Sequence, residues 1–307
     1  MRATAARVAE LFEQTKQWGR WGDDDERGAL NLLTPERIAR AAGLVQEGVS
    51  ISCGRRLPVA PAVDNPTPAQ HHMVLAGDVG GTGTGLQASA DFIGVSFHGM
   101  VVSHIDALCH VFANGQMYNG VPATEVTSVG ARRCSIEVAG GGITGRGVLL
   151  DLAQHRGGPW LEPGDGITPD ELDAACEAQA VTVETGDILL IGTGRDARRD
   201  QHGPWEPNTV GLAGLEAECV AWLRERDIAV LGSDGVSDVL PAHDHEWPMP
   251  VHTCLLAGMG VHLLDNLRLD HLAAACAERG RWEFLFVVAP LQIGGGTGSP
   301  VNPIAIL

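Results

Sequence analysis

The chain has 307 residues, and its 21 Lys and Arg are outweighed by 38 Asp and Glu, for a formal net charge of −17. Such a surface repels nucleic-acid phosphates and anionic lipid, so both are poor partners, and an aromatic content of 5%, with Tyr118 the only tyrosine, argues against an aromatic-rich surface on which bases could stack. Forty glycines and 17 prolines spread along the chain imply many short elements rather than a helical bundle. The length is ample for a buried core.

Seven cysteines, with no CxxC pair, lie mostly in apolar stretches and read as free thiols in a reducing compartment. The first residues carry charge where a signal peptide would be apolar. No apolar run approaches the ~20 residues of a membrane span. The expected location is cytoplasmic.

In chain order, Ala5, Val8, Leu11, Phe12 and Thr15 share one side of a helix over 4–17. Thr34-Pro35-Glu36 starts a second: Thr caps, Pro tolerates the first helical position, and Glu suits the positive dipole end. Residues 55–90, rich in Pro, Gly, Thr and Ala, read as an extended excursion or lid. Strands are expected at 92–97, 101–107, 135–139, 148–152 and 187–191, with a further capped helix at Thr168-Pro169-Asp170-Glu171. Leu212, Leu215, Cys219, Trp222 and Leu223 suggest a helix face leading to a strand at 228–231. Helices from about Pro250 and Asp270, and strands near 283–289 and 301–306, complete a single domain over 1–307 with an N-terminal helical extension of about 48 residues.

Three attractive motifs fail. Gly192, Gly194 and Ala197 follow a strand in the GxGxxA pattern, but the polar run after Ala197 reads as a loop, where a dinucleotide site needs a helix. Gly294-Gly-Gly-Thr-Gly298 lacks the lysine of a phosphate loop and reads as a tight turn. Gly94-Val-Ser96-Phe-His98 lacks the final glycine of a nucleophile elbow.

The segment Phe97 to His110 carries the chemistry. On a strand, His104 and Asp106 point to one face about 6–7 Å apart at the backbone. From there an imidazole nitrogen and a carboxylate oxygen can converge on one cation. His110 follows four residues later and reaches the same pocket if the chain turns. On spacing alone, a buried structural His–Asp network and a metal site remain equally open, although three ionisable groups among apolar neighbours demand compensation.

This segment resembles the cyclase family of metal-dependent hydrolases, which includes bacterial kynurenine formamidase and isatin hydrolase. Ser103-His104-Ile105-Asp106-Ala107-Leu108-Cys109-His110 is similar to the THxDxPxH half of the family signature HxGTHxDxPxH. Ser replaces Thr, Leu108 replaces Pro and Cys109 precedes the last His. Trp21-Gly-Asp23, Gly28 to Thr34, Met117 to Gly120, Gly232-Ser-Asp234 and Gly298 to Pro303 look like the longer branch of the family. The first signature histidine falls on Met100, a poor ligand for divalent metals. His98 lies two residues earlier, about 20 Å from His104 on a straight strand, and reaches the site only if the chain turns at Gly99.

The resemblance implies an α/β (α+β) chain with the swivelling β/β/α fold, a mixed sheet forming a partial barrel with outer helices. It implies a Zn or Mn ion held by His104 and Asp106 with His98 or His252, and Asp265 as a weaker candidate. His110 would move protons. His243 and His245 are loop histidines that could line the pocket. The implied reaction is hydrolysis of a C–N or C–O acyl bond in a small amide, lactam or lactone by a homo-oligomer acting on a small-molecule substrate. Metal-dependent ring closure or dehydration, and a binding protein without activity, are the alternatives.

Overall fold

The computed structural model describes residues 3–78, 87–241 and 245–307. The apolar runs form strands β1 (Ser50–Ser52), β4 (His104–Asp106), β5 (Ile143–Asp151), β6 (Ile188–Gly192), β7 (Val230–Ser233), β8 (His262–Asp265), β9 (Glu283–Val288), β10 (Gly298–Pro300) and β11 (Ile304–Ile306) of one curled mixed sheet. Their order is β1-β11-β9-β5-β6-β7-β8-β4-β10, a half-barrel flanked by helices. The neighbours β5, β6, β7 and β8 run parallel, and the remaining pairings are antiparallel. β6 and β7 are buried at every position, as expected of strands covered on both faces. β5 carries Gly147 because an added Cβ would lie 2.3 Å from the Phe284 ring of β9.

The main α-helices are α1 (Ala5–Thr15), α2 (Pro35–Ala42), α3 (Pro169–Ala178), α4 (Arg195–His202), α5 (Cys219–Arg226), α6 (Pro250–His252) and α7 (Asp270–Arg279); further single turns span Leu152–His155 and Pro207–Val210. Thr4 and Thr34 cap α1 and α2, each side chain accepting a backbone N–H, and α3 opens on the Thr168–Glu171 capping box. α1 buries Val8, Leu11, Phe12 and Thr15 and packs against a π-helical turn, Thr253–Met259, that continues α6. That apolar stripe joins the same buried cluster as the sheet strands. No helix among the described residues is long and apolar enough to cross a membrane, and the seven cysteines are free thiols.

Several elements differ from the sequence expectations. Residues 135–139 form a 3-10 turn, with Ser135 capping the Glu137 N–H; the side-chain cap satisfies backbone groups that a strand would have to pair elsewhere. The run 101–107 is extended only over β4, and 92–97 contributes to a separate hairpin of β2 (Gln70–Leu75) and β3 (Ala90–Gly94). Of the 55–90 excursion, the described residues include β2, exposed along its whole length. Leu212 and Leu215 belong to short bridging strands ahead of α5, not to its face.

The polar run after Gly194 is helical, forming α4. It starts at Gly194 in the left-handed region, where an added Cβ would meet the Pro159 carbonyl at 2.3 Å. The helix start that a dinucleotide would need is nonetheless filled from within. Asp234, just beyond β7, accepts the backbone N–H groups of Thr193, Gly194 and Arg195, taking the place an anionic ligand would occupy.

Candidate active site

β4 lies between β8 and β10, and its register places Asp265 directly across from His104 and Gly298 across from Asp106. The first pairing brings a second carboxylate into the site. The second makes room: an added Cβ at Gly298 would sit 2.4 Å from the Ile105 carbonyl and 2.9 Å from the His98 ring. Between Gly94 and His104 the chain bends instead of running straight. That bend brings His98 Nδ1 to 2.9 Å from Asp106 Oδ1, so the roughly 20 Å separation of a straight strand does not apply.

Five side chains surround Asp106, which is 1% exposed. His104 Nε2 lies 3.4 Å, His110 Nε2 3.9 Å and His252 Nε2 3.7 Å from its oxygens. The His98 ring stacks on the His110 ring with centroids 3.8 Å apart and stands edge-on to His104. Asp265 approaches His252 Nε2 at 3.1 Å. Two overlapping groups, His98 with Asp106 and His110, and His104 with Asp106 and Asp265, each bring their donor atoms within 4.8 Å of one another.

Hydrogen bonds behind these groups fix which atoms face inward. His104 Nδ1 donates to the Val102 carbonyl at 2.8 Å, so its Nε2 presents a lone pair to the cluster when the ring is neutral. His252 Nδ1 donates to Asp238 at 2.6 Å, and Asp238 is itself held by the backbone N–H groups of Val251 and His252. His98 Nε2 meets the Thr297 hydroxyl at 3.0 Å. The imidazoles of His98, His104 and His252 are thus oriented from their far sides, the arrangement that aims histidine at a cation.

The inner atoms lack ordinary partners. Both Asp106 oxygens, Asp265 Oδ1 and His98 Nδ1 are buried with no aligned hydrogen bond. Two carboxylates so deeply buried require positive charge beside them. No Lys or Arg lines the cavity among the described residues, so that charge comes from imidazolium or from a cation. The pKa directions express the same demand. Burial opposes charging of His104, but Asp106 and Asp265 hold it above its ordinary value. Burial likewise opposes charge on His252, yet Asp265 and Asp238 raise it well above. Asp106 is held well below the usual carboxylate range despite burial, by His104 and His98. Burial pushes His110 down to about 4, leaving it a free base at neutral pH. The donor set, imidazole nitrogen with carboxylate oxygen, fits a divalent metal such as zinc or manganese.

The cluster forms the floor of a cleft of about 610 Å³ whose walls include Met100, Phe112, Val236, Trp247 and Met249. The sequence-derived candidates His98, His104, Asp106, His110 and His252 all line it, as does Asp265. Met100 faces the cleft as wall. His245 is exposed and does not line the cleft; His243 lies outside the described residues. Asp238 and Thr297 were not read from sequence. They act through histidines from distant loops, and nothing local in their segments marks them.

A family profile described as "Putative cyclase" matches residues 32–238. Kynurenine formamidase from Bacillus cereus is 30% identical over 107 residues, 35% of this chain and 46% of its own length. Isatin hydrolase from Roseibium aggregatum is 27% identical over 153 residues, 47% of this chain and 53% of its own. The chain therefore spans about half the length of these curated relatives. A crystal structure described as a novel cyclase superposes with a TM-score of 0.88 at 33% identity, covering 96% of this chain and 99% of that one. The profile match over most of the chain and this whole-chain similarity carry one conclusion: the chain belongs to the cyclase family.

Proposed function

We propose that this protein is a metal-dependent hydrolase that cleaves a C–N or C–O acyl bond in a small amide, lactam or lactone. The observation that carries the reading is the inward convergence of orphaned atoms: both Asp106 oxygens, Asp265 Oδ1 and His98 Nδ1, with His104 Nε2 turned toward them by its bond to Val102. The similarity to proteins named as a formamidase and an isatin hydrolase supports hydrolysis.

His104 and Asp106 would hold the ion, with His98, His252 and Asp265 as the further donors within reach. When bound, a zinc or manganese ion lowers the pKa of water and polarises a carbonyl. His110 is suited to proton movement: its ring is partly open to the cleft, and it stays neutral near pH 7. Its Nε2 would take a proton from the attacking water and return it to the leaving nitrogen or oxygen. Asp238 keeps His252 Nδ1 protonated, so that Nε2 remains directed at the carboxylates. The apolar wall formed by Phe112 and Trp247 suits a flat organic group and limits water around the reacting bond.

The test is a panel of N-formyl arylamines, cyclic amides and lactones, assayed with dialysed protein and again after zinc or manganese is restored. Hydrolysis that vanishes on dialysis and returns with metal is expected. Undiminished hydrolysis after complete metal removal would contradict the metal; no hydrolysis of any class by metal-loaded protein would contradict the activity.

A further inference from the structure

His98 reaches Asp106 only because the Gly99–Val102 segment holds a bend that is neither helix nor strand. Three of its carbonyls, those of Gly99, Met100 and Val102, are gripped by two side chains. Asn266, fully buried and in the left-handed conformation (φ 54°) immediately after Asp265, donates from Nδ2 to the Gly99 carbonyl at 2.7 Å and to the Val102 carbonyl at 3.2 Å. The Val102 oxygen is also the acceptor for His104 Nδ1. One carboxamide therefore holds both ends of the bend and the carbonyl that orients His104.

Arg195, at the start of α4, completes the brace. Its guanidinium donates to Asn266 Oδ1 at 2.7 Å and to the Met100 carbonyl. The first bond turns the Asn266 amide so that its NH2 faces the bend. Arg195 is 4% exposed, and an arginine so buried needs a reason to be there. Asp234 ties it down, accepting the Arg195 backbone N–H through its carboxylate and a guanidinium N–H through its carbonyl. Ser103 closes the frame, donating to the Asn266 carbonyl at 2.6 Å while accepting the Arg55 N–H.

We infer that Asn266, oriented by Arg195, is the positioning residue of the metal site: it locks the Gly99–Val102 bend so that His98 and His104 converge on Asp106. This rests on reading the cluster as a metal site. It explains how an imidazole reaches Asp106 from His98, two residues before the cleft-wall Met100: the bend carries it there.

Asn266→Asp is the discriminating variant. It preserves volume and gives Arg195 a carboxylate to bind, but sets acceptor against acceptor at Gly99 and Val102. Zinc affinity is measured by chelator competition, the visible bands of the cobalt-loaded protein by absorption, and folding by thermal melting. The expected result is a loss of metal affinity of about tenfold or more, as for other groups that orient ligands, with altered cobalt bands, in a protein that still melts cooperatively. Arg195→Lys keeps the charge but not the fork and should give a smaller loss of the same kind. A folded Asn266→Asp with wild-type affinity and unchanged bands overturns the inference. Should Asn266→Asp fail to fold, Arg195→Lys with unchanged bands overturns it equally. NMR of metal-free protein separates this from the metal reading: the His104 Nδ1–H should be protected from exchange in the wild type and exposed in Asn266→Asp. If it is so while the wild type binds no metal, the metal reading fails and the brace stands; if the proton is equally protected in both, the brace fails.

Discussion

His262, on β8, is fully buried and neither ring nitrogen has a hydrogen-bond partner. Burial pushes its pKa from 6.5 down to about 4, with Arg27 adding to the effect and Asp106 and Asp25 opposing it. The consequence for stability has a definite sign. Below pH 6.5 the unfolded chain binds a proton at this position while the native chain does not, so stability falls as pH drops toward 4. A fall from 6.5 to about 4 corresponds to about 3 kcal/mol across that window. His262→Leu removes the proton without opening a large cavity, and loses a polar ring that bonds to nothing. Urea unfolding followed by tryptophan fluorescence, at steps from pH 7 to pH 4, should show the wild type losing up to about 3 kcal/mol more than the variant. At pH 7 the two should differ little. Curves that fall in parallel across the whole range would refute the reasoning.

At His110, Ala should leave the metal bound and the fold intact yet lower turnover by about 10²–10⁴, the usual worth of a positioned acid–base group; loss of metal instead would make His110 a ligand, and near-normal turnover would end the proton role. His98→Ala should weaken metal affinity about tenfold, as expected for an orienting contact, or more if it binds directly, read by chelator competition; unchanged affinity and turnover would make it a bystander. Asp238→Asn, which replaces the carboxylate behind His252, should cost about 10–100-fold in metal affinity, and unchanged binding would show that His252 needs no such support.

The parts of this molecule readable from sequence are those fixed by neighbours in the chain. Capped helices such as α2 and α3, the buried strand β6 and the pair His104 and Asp106 follow from local periodicity and capping chemistry. What local pattern left open, and only the resemblance suggested for His98 and Asp265, depends on chain segments meeting in space. Asp265 enters the site because β8 runs antiparallel to β4 in one register, and a shift of one residue would turn it away. His98 is remote along a strand and adjacent around a bend held by Asn266 and Arg195, residues far on in the chain. The helix α4 escaped detection because its sequence, Arg195 to His202, is almost entirely polar, with only Arg195 and Asp196 buried. It carries no apolar period to betray it, and Asp234 fixes its first turn from the loop just beyond β7.

The central claim is that His104 and Asp106 hold a divalent ion. Elemental analysis of purified protein beside the His104→Ala, Asp106→Ala double variant tests it most directly, with cooperative melting confirming that both are folded. The account predicts about one zinc or manganese ion per wild-type chain and none in the variant. A folded variant that keeps its full metal content would contradict it.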